Sequence, residues 1–166
     1  MRKVLVVIAF LAALPTMGFA QLAVGPASFL RSPELLGQSA DVEQLNVDQF
    51  SIGGDLRYRF AWFQAQGVVL YSTGEVNSLD VFLGAGMVFD IAFVSLSLGA
   101  GPNFTKIEGH GPPMQAGLNA KAGADVRLGP VSLGVSYIMA LRVAETHISV
   151  ETSCGLLGVQ LLYWLW

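Results

Sequence analysis

The chain has 166 residues, 53% of them hydrophobic and 13% charged, with a net charge of -3 and a mean hydropathy of +0.56. A soluble domain carries about 25% charged residues, so this composition excludes an ordinary soluble domain and points to a membrane or a covered surface. The absence of a basic cluster excludes nucleic acid as a partner, and the single cysteine, Cys154, excludes an internal disulfide and a cysteine-built metal site.

At the N-terminus, Arg2 and Lys3 precede the apolar run VLVVIAFLAAL, which Pro15 ends. The run is too short to cross a bilayer. Gly18 and Ala20 place small residues where a signal peptidase reads. The expected division is a cleaved secretory signal peptide over residues 1–20 and one barrel domain over residues 21–166.

An exported apolar chain crosses a membrane with helices or with the strands of a closed barrel, because only these satisfy their own backbone hydrogen bonds in lipid. The best helical candidate, Val81 to Gly101, carries Asp90 in its middle and is interrupted by glycines and serines. A period of two fits better. In FSIGGDLRYRF, Phe50, Ile52, Leu56, Tyr58 and Phe60 alternate with Ser51, Gly53, Asp55, Arg57 and Arg59. In AGLNAKAGADVRL, alanines and Val126 alternate with Lys121, Asp125 and Arg127. Such alternation predicts strands with one apolar and one polar face. Strands are expected near 21–30, 49–60, 62–72, 79–90, 92–104, 115–128, 131–142 and 152–166. The connections after the second, fourth and sixth are tight, and those after the first, third, fifth and seventh are longer and polar. Short periplasmic turns alternating with long external loops are the arrangement of an outer-membrane barrel. Aromatic residues near strand ends predict two girdles. Tyr58, Phe60, Trp62, Phe63, Phe89, Phe93, Tyr163, Trp164 and Trp166 would form the inner one, and Phe50, Tyr71, Phe104 and Tyr137 the outer.

The signal peptide, the eight alternating segments, the asymmetric loops and the terminal YWLW together resemble the small eight-stranded outer-membrane β-barrels of the OmpX, OmpW and OmpA-domain kind. The resemblance implies an all-β, eight-stranded antiparallel transmembrane barrel in a bacterial outer membrane. Its partners would be the membrane lipid and the barrel-assembly machinery, which reads a C-terminal aromatic signature. Trp166, Trp164 and Leu162 match that signature, with Trp in place of the usual final Phe, and put those side chains on the lipid face. Gln160 departs from it: the same parity would turn an amide into lipid, unless the strand bulges or its parity differs. Pro26 and Pro102 fall within strands, where each removes a ladder hydrogen bond.

The inward positions define the candidate site. Asp55, Arg57, Arg59, Asp90, Lys121, Asp125 and Arg127 form a polar lumen network. An eight-stranded barrel is narrow enough for side chains to fill it, so these charges are expected to pair. Val68, Leu70, Phe82 and Ile138 point inward in the external half and define a candidate apolar pocket above the charges. The OmpW resemblance implies passage of small hydrophobic compounds. Two functions are therefore carried forward: a conduit for small hydrophobic solutes, or a sealed structural or surface-binding barrel acting through its external loops.

Other chemistry finds little support. Ser32-Pro33-Glu34 suits a short helix start in the first external loop. Glu108, His110, Glu145 and His147 occupy the third and fourth loops and are of metal-ligand type, yet loop acids and histidines are commonplace and no metal is assigned. GAGPNF has no helix after it to hold a phosphate, and no cofactor is assigned. No GxSxG is present, and Ser149 and Ser153 near His147 lack an orienting arrangement, so an enzyme is not expected.

Overall fold

The computed structural model describes residues 20–32, 50–73, 77–107, 114–142 and 151–165. Eight strands run in chain order: β1 (Ala20–Ser32), β2 (Phe50–Phe60), β3 (Phe63–Ser72), β4 (Ser78–Ile91), β5 (Val94–Ile107), β6 (Gln115–Leu128), β7 (Val131–Arg142) and β8 (Glu151–Trp164). Each pairs antiparallel with its sequence neighbour, and β1 closes the barrel on β8. The expected fold is the observed one, with strand limits shifted by a few residues. The candidate helix start after Ser32, and Glu108, His110, Glu145, His147 and Ser149, lie outside the described residues, as do Met1–Phe19 and Trp166.

The alternation does the sorting. On β2, Ile52 is 68% exposed on the outer face while Arg57, five residues on and so on the opposite face, is 1% exposed in the lumen. Leu96 and Leu98 on β5 and Leu133 and Val135 on β7 face out, while Ser95, Ser97, Ser132 and Ser136 face in. An exterior of this kind suits lipid, and closure leaves no strand edge unpaired in it.

Three two-residue turns join β2 to β3, β4 to β5 and β6 to β7. Each opens on a residue with positive φ: Ala61 at 52°, Ala92 at 57° and Gly129 at 65°. This left-handed start matches the twist of the flanking strands. Each turn's carbonyl also accepts a bond from a strand beyond its own hairpin. Val88 N–H donates to Trp62 O at 2.8 Å, Arg127 N–H to Phe93 O at 2.8 Å and Trp164 N–H to Pro130 O at 2.7 Å. The stagger of the closed sheet thus satisfies groups that a hairpin alone leaves open.

The last strand corrects one expectation. Gln160, Leu162 and Trp164 all face the lumen, and Val159, Leu161, Tyr163 and Leu165 face out. The parity of β8 is opposite to the one the terminal-aromatic signature implied. The irregularity in β8 pairing lies between Ala140 and Leu141, far from Gln160, so a bulge does not explain it. The reason is polar satisfaction: an amide in lipid has no partner, whereas in the lumen Gln160 accepts from Arg57 and donates to Ser136. Trp164 consequently leaves the girdle, while Phe60, Trp62, Phe63, Phe89, Phe93 and Tyr163 remain exposed at the turn end.

Both in-strand prolines sit at lapses in pairing. β1 pairs with β8 through Val24–Tyr163 and again from Ala27–Gln160, skipping Gly25–Pro26. β4 pairs with β5 through Phe82–Asn103 and again from Ala85–Ala100, skipping Gly101–Pro102. The two seams lie on opposite sides of the barrel, four strands apart.

Candidate functional site

The lumen is stacked in three layers. The layer toward the turn end is ionic and centres on Arg57. Asp55, Arg57 and Arg59 share the inner face of β2 because alternate strand residues do. The Arg57 guanidinium donates Nε–H to Asp55 Oδ2 at 3.0 Å, Nη1 to Asp125 Oδ2 at 2.6 Å and Nη2 to Gln160 Oε1 at 3.1 Å. One side chain therefore ties β2 to β6 and β8 across the barrel. Gln66 donates to both Asp55 oxygens, at 2.7 and 2.6 Å. Lys121 Nζ stands 3.8 Å from Asp55 Oδ2. The Asp125 carboxylate lies over Gly134, where a Cβ would come within 2.0 Å of its Oδ1. Glycine is what lets the carboxylate reach Arg57.

Below Arg57, Arg59 donates to Gln64 Oε1 at 3.2 Å, Asp90 Oδ1 at 3.2 Å and Ser95 Oγ at 3.3 Å. Asp90 reaches this network from the end of β4, with its side chain 58% exposed. Arg127 donates to Gln21 Oε1 at 2.9 Å and to its own turn at Gly129 O at 3.3 Å. The Trp164 ring has the guanidinium carbons of Arg59 and Arg127 each 4.8 Å from its centroid, and its Nε1–H donates to Ser132 Oγ at 3.0 Å. A lumen Trp between two arginines adds to the Arg59–Asp90 pair and gives Arg127 a partner where no carboxylate among the described residues is bonded to it.

The middle layer is apolar. Val68, Leu70, Phe82 and Ile138, the sequence-derived pocket residues, are brought together with Phe29 and Leu156 in one buried cluster. Phe29 covers Gly158 on the facing strand. Val68, Phe82 and Ile138 also line a cavity of about 30 Å³ that continues down to Gln64, Gln66 and Lys121, whereas Leu70 does not. A cavity of that volume holds a few water molecules at most, far less than a solute path needs.

The third layer, at the loop end, is polar again. Arg31 on β1 donates to Asp80 on β4, an ion pair across the barrel mouth. Asp80 also accepts from Ser78 Oγ at 3.3 Å and Thr105 Oγ1 at 2.6 Å. Ser51 and Ser72 share a hydrogen bond beside them.

The structure therefore places Asp55, Arg57, Lys121 and Asp125 in one network and Arg59 and Asp90 in an adjoining one. Arg127 joins through the Trp164 ring rather than through a carboxylate. Sequence reading missed Arg31, Asp80, Gln160, Trp164, Phe29 and Leu156. Asp80 shares its parity with Phe82 and was legible. Gln160 carried its own signal as a polar residue on a supposed lipid face. Arg31 lay beyond the expected end of β1.

A closed barrel with an apolar exterior and a filled polar and apolar interior defines a membrane β-barrel of the small eight-stranded kind. Known proteins agree at the level of the fold. No protein-family model and no curated protein matches the chain. Among solved structures, the attachment invasion locus protein Ail of Yersinia pestis is similar at 18% identity and a TM-score of 0.54, over 87% of this chain and 96% of that one. The N-terminal β-barrel domain of Pseudomonas aeruginosa OprF is similar at 13% identity and a TM-score of 0.63, over 88% and 99%. Neisserial surface protein A is similar at 17% identity and a TM-score of 0.52, over 87% and 96%.

Proposed function

We propose that this chain is a bacterial outer-membrane barrel whose lumen is closed at rest, and that it acts as a structural or surface-binding protein through its loop end. The observation that carries the reading is the stack of three layers that fills the lumen. Arg31–Asp80 spans the mouth, an apolar cluster fills the middle, and Arg57 with Asp55, Asp125 and Gln160 crosses the barrel below. An unpaired buried charge costs several kcal/mol, so a passage through this plug has to break the Arg57–Asp55, Arg57–Asp125 and Arg31–Asp80 pairs.

A second reading, passage of small apolar solutes, draws on one specific observation: Val68, Phe82 and Ile138 line a cavity beside the lapsed β4–β5 seam. Flux into liposomes separates the two. With the folded chain in the bilayer, a small hydrophilic probe and a small apolar probe should each enter at the rate of protein-free vesicles. Replacing Arg57 and Asp125 together by serine should open a leak to the hydrophilic probe. Faster entry of the apolar probe with the unmodified chain, abolished by filling the cavity, would establish the conduit instead.

A further inference from the structure

The cavity under the apolar layer has an uneven chemistry. Lys121 Nζ is buried in its wall and has no hydrogen-bond acceptor among the described residues. Its nearest carboxylate, Asp55, is 3.8 Å away and already accepts from Arg57 and Gln66. Two further donors in the wall hold only long bonds: Ser97 Oγ reaches Gly123 O at 3.5 Å, and Gln64 Nε2 reaches Gln66 Oε1 at 3.5 Å. At that length a bond is weak, and both donors can turn to a guest. Formal charge leans the same way. Among the described residues of the two linked networks, Arg57, Arg59, Lys121 and Arg127 face Asp55, Asp90 and Asp125, four cations against three carboxylates.

We propose that this cavity is a binding site for one small monovalent anion, a halide or formate, held by Lys121 Nζ with Ser97 Oγ–H and Gln64 Nε2–H as accessory donors. Lys121, Ser97 and Gln64 all line this space of about 30 Å³, room for no more than a few water-sized atoms. Asp55, the nearest carboxylate, already holds Arg57 and Gln66, so a guest that brings its own negative charge suits Lys121 Nζ. A buried ammonium that shares its one nearby carboxylate with Arg57 is under-compensated, and the anion supplies the missing charge. Bound there, it completes the ionic layer beneath the apolar one.

Chloride nuclear magnetic resonance tests this on the chain folded in detergent micelles. The unmodified protein should broaden the chloride line beyond a micelle blank, and added formate should reverse the broadening. Lys121→Met should abolish the excess. Gly84→Leu should abolish it too: a Cβ there meets nothing closer than Ala100 O at 3.8 Å, so a side chain can start at this position without a backbone clash and takes up the cavity space. Lys106→Met removes an exposed cation and should leave the broadening unchanged. Each variant is first checked for a β-type dichroism spectrum and heat-modifiable gel mobility. If Lys121→Met fails that check, Gly84→Leu decides. No excess broadening in the unmodified chain, or broadening that survives in a folded Lys121→Met or Gly84→Leu, overturns the site and leaves the cavity to water.

Discussion

Arg57 joins three strands that do not follow one another in the chain, and its three donor directions are all used. Arg57→Met removes the ion-pair partner of Asp125 and leaves Asp55 to Gln66 and Lys121. Loss of one partner from a buried ion pair costs about 3–5 kcal/mol, and the urea midpoint in lipid vesicles should fall accordingly, with the barrel still forming in the absence of denaturant. Gly134→Ala tests the same network without touching a charge. Its Cβ would strike Asp125 Oδ1, and overpacking of this kind costs about 1–3 kcal/mol. An unchanged midpoint would mean that Asp125 has room to move and that its tie to Arg57 is not fixed. The turn residue Ala92 carries its left-handed φ of 57° with a Cβ, which costs about 1–2 kcal/mol. Ala92→Gly should therefore raise the midpoint by a fraction of that, since glycine also gains freedom in the unfolded chain.

Strands meet differently at the two proline seams. Where β4 and β5 stop pairing, Asn119 on β6 steps in: its Nδ2 donates to Leu83 O at 3.0 Å, Gly101 O at 3.0 Å and Pro102 O at 2.9 Å. A lumen side chain thus replaces ladder bonds that Pro102 cannot make. Asn119→Leu keeps the volume close and removes the donor. It should cost about 1–3 kcal/mol for unsatisfied acceptors, and amide exchange at Leu83 and Gly84 should accelerate relative to the rest of β4. Exchange unchanged along β4 would show that the seam does not depend on Asn119. Most strands were legible because polar and apolar residues alternate over ten or so positions, as on β2 and β6, even though Val68, Phe82 and Ile138 on β3, β4 and β7 are apolar and face in. β8 was read with the wrong parity because Leu162 and Trp164, both apolar, face the lumen, and a terminal signature outweighed the one residue that decides, Gln160. Its amide has partners only inside. Phe29 and Leu156 were missed for the same reason: hydrophobicity marks the lipid face only where the lumen is polar, and the middle of this lumen is not.

At the scale of the whole molecule, the outer face is apolar and the inner face is filled by ion pairs and packed side chains. Leu98 is 61% exposed near the middle of β5. On a lipid face an arginine near the midplane costs about 2–4 kcal/mol, whereas on a water-exposed strand it costs little. Leu98→Arg should lower the urea midpoint in vesicles by that amount, and a neutral effect would place this face in water. Alternation alone does not tell a membrane barrel from a soluble one, because the pattern reads the same with the faces exchanged. The polar interior, with Arg57, Asp55 and Asp125 enclosed and Ile52 and Leu98 outside, removes that ambiguity. The layers themselves were only half legible. Charges toward the turn end followed from counting residues up from the tight turns, but the Arg31–Asp80 pair closing the other end depends on strand stagger, which no single strand encodes. The most direct test of the closed lumen is ion conductance of the folded, unmodified chain in a planar bilayer. The account predicts a trace that stays at the lipid baseline, with discrete steps appearing when Arg57 and Asp125 are replaced by serine. Steady conductance steps from the unmodified chain would contradict it.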